Sequence, residues 1–142
     1  MKKALFGCIL LSFMSVLNTS CLKEDDADAF VGTYYVTAIT TATSGGSSYS
    51  YSSNSTLNIR KVSANRVQTS GWFSTYGNVI GNTVYFDSYS CNESDFRVTF
   101  SFNAGLLNGN VLSVSDMCSG SSLHYGTWYP YYSTTQHTCV KQ

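Results

Sequence analysis

The chain has 142 residues, and its eight lysines and arginines balance its eight aspartates and glutamates, so the formal net charge is zero. Residues 29 to 142 carry five basic and four acidic side chains, too few to neutralise a phosphate backbone. Nucleic acid is therefore excluded as an expected partner. The length allows one small domain and is too short for two good hydrophobic cores.

The N-terminus has the layout of an export signal. Lys2 and Lys3 precede an apolar run, Ala4 to Leu17, which is shorter than the roughly 20 residues that a membrane-spanning helix needs. Small polar residues follow this run. We interpret residues 1–20 as a signal peptide, and cleavage after Ala29 in the sequence ADA stays open as an alternative site.

Cys21 stands where such a leader would end, with Thr19 and Ser20 before it. This arrangement resembles the lipobox of bacterial lipoproteins, and the resemblance implies that Cys21 is acylated, for instance with palmitate, after cleavage. Several acyl chains together hold a protein firmly at a membrane, whereas one chain binds only marginally. The expected partner at this end of the chain is therefore a membrane, reached through the lipid.

A lysine and three acidic residues follow Cys21 after one leucine, in the order Lys23, Glu24, Asp25 and Asp26. The run resembles the export signal of surface lipoproteins in the Bacteroidota, which implies an outer-membrane, cell-surface location. A run of like charges also forms a solvated, extended tether, and the two interpretations are compatible. We assign residues 21–29 to the tether and residues 30–142 to the folded domain.

Alternation with a period of two runs through the domain and predicts β-strands. In RVTFSF, Val98, Phe100 and Phe102 share one face. The predicted strands cover residues 30–42, 54–62, 65–75, 82–90, 96–106, 110–117, 123–129 and 133–141. The polar stretch from Thr41 to Ser55 is expected to be a mobile loop or a poorly packed strand end.

Two segments, VIGNTVYF and LLNGNVLSV, place Gly and Asn between strand-like residues, as two-residue hairpins require. A meander in which each strand pairs with the next follows. The fold class is therefore all-β, and eight strands close into an antiparallel up-and-down barrel or divide into a sandwich. The frequent hairpin turns favour the barrel.

The sequence resembles the small lipocalin-like barrels of Bacteroidota lipoproteins. The resemblance lies in the opening FVGTYYVTAIT, in the hairpin residues, and in the cysteine-bearing last strand; the residues concerned are Phe30, Gly32, Thr33, Tyr34, Gly81, Asn82, Asn108, Gly109 and Asn110. It covers nearly the whole domain. It implies a lipocalin-like barrel, a fold that can hold a small ligand in its cup.

Three cysteines remain in the domain, namely Cys91, Cys118 and Cys139, so one intrachain disulfide is the maximum. Cys91 with Cys118 is the preferred pair, and Cys118 with Cys139 is the alternative. None of the three stands at the spacing of a metal site, so no metal or other cofactor is expected.

The sequence offers little for catalysis. His124 and His137 are the two histidines, and neither accompanies a nucleophile elbow. They are expected to be isolated surface residues, although a cross-strand metal pair is an open alternative. Asp116 is expected to end a strand. We therefore predict a protein that is not an enzyme.

Aromatic residues are the most suggestive feature of the domain. Trp72 lies in one aromatic segment, and Trp128, Tyr129, Tyr131 and Tyr132 surround the single proline. Rings in small barrels usually fill the core or the rim. Facing outward, these five could bind glycan or protein. Two functions are therefore expected: a binding module for a small apolar ligand held in a cup with little free volume or, alternatively, a surface that contacts glycan or protein.

Overall fold

A computed structural model describes residues 26 to 142 as a 3-10 helix followed by ten β-strands. The helix is Asp26–Phe30. The strands are β1 Gly32–Ser44, β2 Ser47–Ser63, β3 Arg66–Gly71, β4 Tyr76–Ile80, β5 Thr83–Phe86, β6 Tyr89–Asn92, β7 Phe96–Phe102, β8 Gly105–Asn108, β9 Val111–His124 and β10 Thr127–Lys141.

All ten strands belong to one antiparallel sheet, in the order β10-β1-β2-β3-β4-β5-β8-β9-β7-β6, and β9 also pairs with β10. That last pairing closes a ring through eight strands, while β7 and β6 lie outside the ring. The prediction of an all-β, antiparallel up-and-down barrel is therefore confirmed.

The predicted signal peptide, the predicted lipidation residue Cys21 and three residues of the predicted export signal, Lys23, Glu24 and Asp25, lie outside the described residues. Within residues 26 to 142, no helix is long and apolar enough to cross a membrane.

The barrel has two halves because β9 changes its neighbour along one edge. Its residues 111–113 pair with β8, and its residues 116–122 pair with β7. We call the part where the eight strands meet the closed half. It is filled by a cluster of buried side chains that includes Phe30, Tyr34, Leu57, Val84 and Leu112.

The other part, the open half, has two edges. The first nine residues of β2, residues 47–55, pair with β1, and the β2 to β3 register begins only at Leu57. β6 pairs with β7 on its other side. Within the described chain, the sheet of the open half therefore runs β2-β1-β10-β9-β7-β6, and the edges of β2 and β6 stay unpaired.

The 3-10 helix closes the bottom of the closed half. Ala27 and Phe30 are fully buried there, and the Phe30 carbonyl accepts a 2.8 Å hydrogen bond from the Tyr34 hydroxyl. The Asp26 carboxylate accepts a bond from the Gly81 amide at 3.0 Å. Asp28 pairs with Lys61 at 2.9 Å. Asp26 to Ala29, assigned to the tether from sequence, thus belong to the folded domain.

For Thr41 to Ser55, the expectation of a mobile loop is wrong, whereas the alternative of a poorly packed strand end agrees with the exposed start of β2. β1 and β2 continue as a paired hairpin through Ser44 and Ser47, joined by Gly45 and Gly46 at φ values of 58° and 82°. Positive φ at both central residues is the geometry of a tight hairpin turn. The segment lacks an apolar alternation because the inner face of the open half meets solvent rather than a core.

Other strand predictions need correction in the second half of the chain. Segment 82–90 divides into β5 and β6, and segment 96–106 divides into β7 and β8, because each change of strand is a change of partner. Segment 110–117 instead extends to His124 in β9, and segment 123–129 contains the turn at Tyr125 and Gly126 and the first residues of β10. β5 pairs with β8, so strands do not always pair with the next one.

Two exceptional positions make the long β9–β10 hairpin possible. Pro130 lacks an amide donor, and it lies beyond the last β1 pair, Ser44 with Tyr131, so only β9 flanks it. A Cβ on Gly120 would lie 2.0 Å from the Arg97 carbonyl oxygen, so glycine is needed where β7 approaches β9.

Replacing Gly120 by alanine should therefore destabilise the domain. The added methyl group would clash with the backbone of β7, which cannot move aside by changing rotamer as a side chain can. We therefore expect a loss of about 3 kcal/mol in the free energy of unfolding, the upper end for overpacking. Urea unfolding monitored by circular dichroism measures the loss. Ser119→Ala, at the exposed neighbouring position, is the control and should change stability by less than about 0.5 kcal/mol. Equal stabilities would contradict the close approach.

Candidate functional site

The most developed concave site is a cleft of about 320 Å³ between the two edges of the open half. Tyr51 from β2 and Tyr89 from β6 line it on opposite sides. The loop between β3 and β4, residues 72–75, brings Trp72 and Phe73 to its base. The expectation of little free volume therefore describes the closed half and is wrong for the open half.

The loop at the base is fixed by hydrogen bonds. Thr69 Oγ1 accepts from the Thr75 amide at 2.9 Å, and the Thr75 hydroxyl donates to the Asp87 carbonyl at 2.8 Å. Gly71 begins the loop at φ 102°, where a Cβ would lie 2.3 Å from the Thr56 carbonyl oxygen. The floor of the cleft is thus a defined part of the fold.

Aromatic rings form most of the cleft wall. Phe73 is buried and packs against Phe86 and Phe102 at centroid distances of 5.3 and 4.9 Å. Higher in the cleft, Tyr89 stacks on Phe100 at 4.8 Å, and Phe96 meets Tyr131 edge to face at 5.0 Å. Such pairs hold the rings in fixed orientations, which lowers the entropy cost of binding a flat apolar group.

Polar side chains lie among the rings. Thr40, Ser133 and Thr135 line the cleft on the β1 and β10 side. Asp116, from the middle of β9, also lines it and is 6% exposed. The cleft is therefore amphipathic, with a carboxylate below an aromatic wall.

Asp116 is held by a buried histidine. His137 Nε2 lies 2.6 Å from Asp116 Oδ2, and the His137 side chain is fully buried. Asp116 Oδ1 and His137 Nδ1 are also buried, and neither has a hydrogen-bond partner among the described residues. A buried carboxylate with one free oxygen is costly and calls for an explanation.

Sequence reasoning missed this pair. His137 was expected at the surface and is buried; Asp116 was expected to end a strand and lies in the middle of β9. A signal was present, because Asp116 follows Leu112 and Val114 at the spacing of two that marks the inward face. His124 is exposed and pairs in register with Thr127, far along the hairpin from His137.

Burial governs the acidities of groups around the cleft. Burial first, and then the Asp116 carboxylate and two nearby cysteines, raise the pKa of Tyr89 to about 12. Burial also raises the pKa of the Cys118 thiol, which lines the cleft, to about 11. Both groups are therefore neutral at physiological pH.

The five predicted contact residues divide between two faces. Trp72 and Tyr131 line the cleft, and Tyr129 lines a neighbouring groove with Tyr131. Trp128 and Tyr132 lie on the outer face, where Trp128 packs under the Arg97 guanidinium at 4.6 Å. The WYPYY segment alternates as a strand does, so its rings do not form one surface.

The neighbouring groove lies at the tip of the open half and measures about 470 Å³. Ser44 and Gly45 from the first hairpin, and His124 and Tyr125 from the last, line it together with Tyr129. Tyr125 is fully exposed at φ 50°, so the groove is a shallow surface feature at the hairpin tips. The enclosed cleft is the better candidate site.

The preferred disulfide, Cys91 with Cys118, is wrong in the structure, as is Cys118 with Cys139: all three cysteines are free thiols. β7 lies between Cys91 on β6 and Cys118 on β9. Cys139 pairs in register with Leu112, six positions from Cys118, or about 20 Å along a strand. A disulfide needs Cα atoms within about 7 Å.

No protein-family model, curated protein or solved structure matches the chain. Residues 26 to 142 contain no group of three or more histidines, cysteines or acids placed to hold a metal ion.

The three thiols should differ in reactivity. Cys91 is partly exposed and should react with iodoacetamide in the native protein, whereas Cys118 and Cys139 are buried and should be protected. Because the thiolate is the nucleophile, labelling of Cys118 should rise only as the pH approaches about 11. Peptide mapping by mass spectrometry measures each site. A peptide carrying Cys91 linked to Cys118 under non-reducing conditions would contradict the strand order.

Proposed function

We propose that the protein is a lipid-anchored, surface-exposed module of the outer membrane that binds a small amphipathic ligand in the cleft and catalyses no reaction. The observation that carries the proposal is the cleft itself: about 320 Å³ of space, lined by fixed aromatic rings and by a buried carboxylate. Ligand sites are typically concave, mostly apolar and supplied with a few placed polar groups.

The unpaired edges support this assignment. In a barrel closed along its whole length by eight strands, side chains usually fill the interior. In the open half, by contrast, β2 and β6 do not pair with each other, and Tyr51 and Tyr89 line the cleft between them. The same chain thus provides a packed support below and an accessible site above.

The anchor and the cleft lie at opposite ends of the proposed arrangement. Cys21 precedes Asp26 by five residues, which span at most about 18 Å when extended. Asp26 is bound at the closed half through the Gly81 amide. A lipid on Cys21 therefore keeps the closed half near the membrane and leaves the cleft facing outward.

The neutral probe 2-(1-naphthyl)ethanol should bind the full-length protein in equilibrium dialysis, measured against a detergent blank. Trp72→Ala and Tyr131→Ala each remove a ring from the cleft and should weaken binding about tenfold, the value of one stacking ring with its burial.

Trp128→Ala is the matched control, because Trp128 is exposed to the same extent as Trp72, 36% against 37%, on the opposite face. It should leave the affinity within about twofold, below the contribution of one ring. Failure of this probe and of its ammonium analogue to bind would refute a binding cleft.

The anchoring part of the proposal is tested separately. Cells fed labelled palmitate should incorporate it into the protein, and Cys21→Ala should abolish both the label and membrane retention, because one residue carries all the chains. Protease treatment of intact cells should degrade the domain if it is displayed outside. An unlabelled protein, or one protected until cells are lysed, would contradict lipidation or display respectively.

A second function, contact with glycan or protein, is favoured by one observation. Trp128 and Tyr132 are exposed on the outer face, and the Arg97 guanidinium over Trp128 adds a charged donor beside an aromatic plane. A glycan array distinguishes this function from the first, because binding there would be lost in Trp128→Ala and kept in Trp72→Ala.

A further inference from the structure

We propose that the ligand of the cleft is a small organic cation, an amine with an apolar ring or chain, whose ammonium group donates to Asp116 Oδ1. The inference rests on the proposed function, because it names the class of ligand for the same cleft. Its basis is the Asp116 carboxylate, and four observations lead from that group to the ligand.

The first observation is the unused oxygen. Asp116 is 6% exposed and lines the cleft, and its Oδ1 has no hydrogen-bond partner among residues 26 to 142. A carboxylate oxygen only accepts hydrogen bonds, so what completes the site must be a donor. An acidic ligand, which would bring another acceptor and a like charge, is disfavoured.

The second observation is the state of the histidine. His137 Nδ1 is buried without an acceptor within the described chain. An imidazolium would place an N–H there with nothing to receive it, whereas the neutral ring donates through Nε2 to Asp116 and leaves only a lone pair at Nδ1. Orphaned donors are rarer in proteins than under-satisfied acceptors. The geometry therefore favours neutral His137, which orients Asp116 and leaves its charge in place.

The third observation is that no positively charged side chain in the described part of the chain balances the charge of the Asp116 carboxylate. No lysine or arginine of the described chain lines the cleft. The half-buried Tyr89 and the buried Cys118 are neutral near pH 7 and supply no positive charge. An uncompensated buried carboxylate is unfavourable, and a cation entering the cleft relieves this cost as well as forming a hydrogen bond.

The fourth observation is the wall above the carboxylate. The faces of aromatic rings are electron-rich and attract ammonium groups within about 6 Å, and the same rings receive an apolar substituent. The ring centroids of Trp72 and His137 lie 6.1 Å apart, which places an indole near the Asp116–His137 pair. Rings and carboxylate together distinguish an ammonium from a neutral alcohol of equal size.

Three probes of matched shape test the inference on the full-length protein: 2-(1-naphthyl)ethylammonium, 2-(1-naphthyl)ethanol and 1-naphthylacetate. We expect the ammonium probe to bind at least tenfold more tightly than the alcohol, since a hydrogen bond to a charged group is worth about that factor. The acetate should bind most weakly. This ranking requires no substitution, so it stands even where a variant fails to fold.

Asp116→Asn keeps the shape and removes the charge, and it should bring the ammonium and alcohol affinities to within about threefold, most of the charge-assisted bond being lost. Asp95→Asn changes an exposed carboxylate in the β6–β7 turn and should keep the preference. Melting curves check that both variants fold.

The outcomes separate the two claims. Equal affinities for ammonium and alcohol in the unmodified protein, or an undiminished preference in folded Asp116→Asn, would overturn the cationic ligand and leave the binding cleft standing. No binding of any probe would overturn both.

Discussion

One edge of β9 is shared between two strands, and the rest of the structure depends on that division. β8 takes the first residues of this edge and β7 takes the later ones. A strand edge offers each backbone group to one neighbour, so β8 and β7 occupy successive parts of it. Below the division the eight-stranded ring closes around a core; above it the sheet diverges and a cleft forms. The pairing of β7 with β9 requires a glycine at position 120, because a side chain there would collide with the β7 backbone.

The buried Asp116–His137 pair lies near this division. Phe102, the last residue of β7, is opposite Asp116 in the ladder, and Val114 is opposite His137 on the other side. The pair therefore occupies the level at which the packed core gives way to the cleft. Removing one partner of a buried pair generally costs about 3–5 kcal/mol of stability. The Asp116–His137 pair therefore contributes to the stability of the fold as well as to the site. A site built on central strands is held more rigidly than one on loops.

Sequence patterns determined which side of each strand faces inward, and they did so reliably where a core lies beneath. Val98, Phe100 and Phe102 share the inner face as predicted, and the Gly81–Asn82 and Gly109–Asn110 turns join their strands with two residues each. Period-two alternation specifies a face but not a neighbour. The pairing of β5 with β8, and of β7 with β9, therefore had no signal in the alternation.

The candidate site was harder to predict for a related reason. Tyr49 and Tyr51 point to the inner face of the open half, which has no core. The sequence around them therefore lacks the apolar alternation of a strand and predicts a loop. Asp116 interrupts the apolar alternation of β9 and therefore predicts the end of a strand, because a charged residue inside a barrel is rare without a partner. The partner, His137, lies twenty-one residues away in sequence, and only the register of the last hairpin brings the two together.

The pairing of the first strand with the last also sets an order of events. β1 spans Gly32–Ser44, yet its full-length neighbour β10, Thr127–Lys141, comes after all the other described strands. The ring cannot close until the final strand has been synthesised, and contacts this distant in sequence form slowly. The emerging chain therefore remains incompletely folded until β10 is available to pair with both β1 and β9.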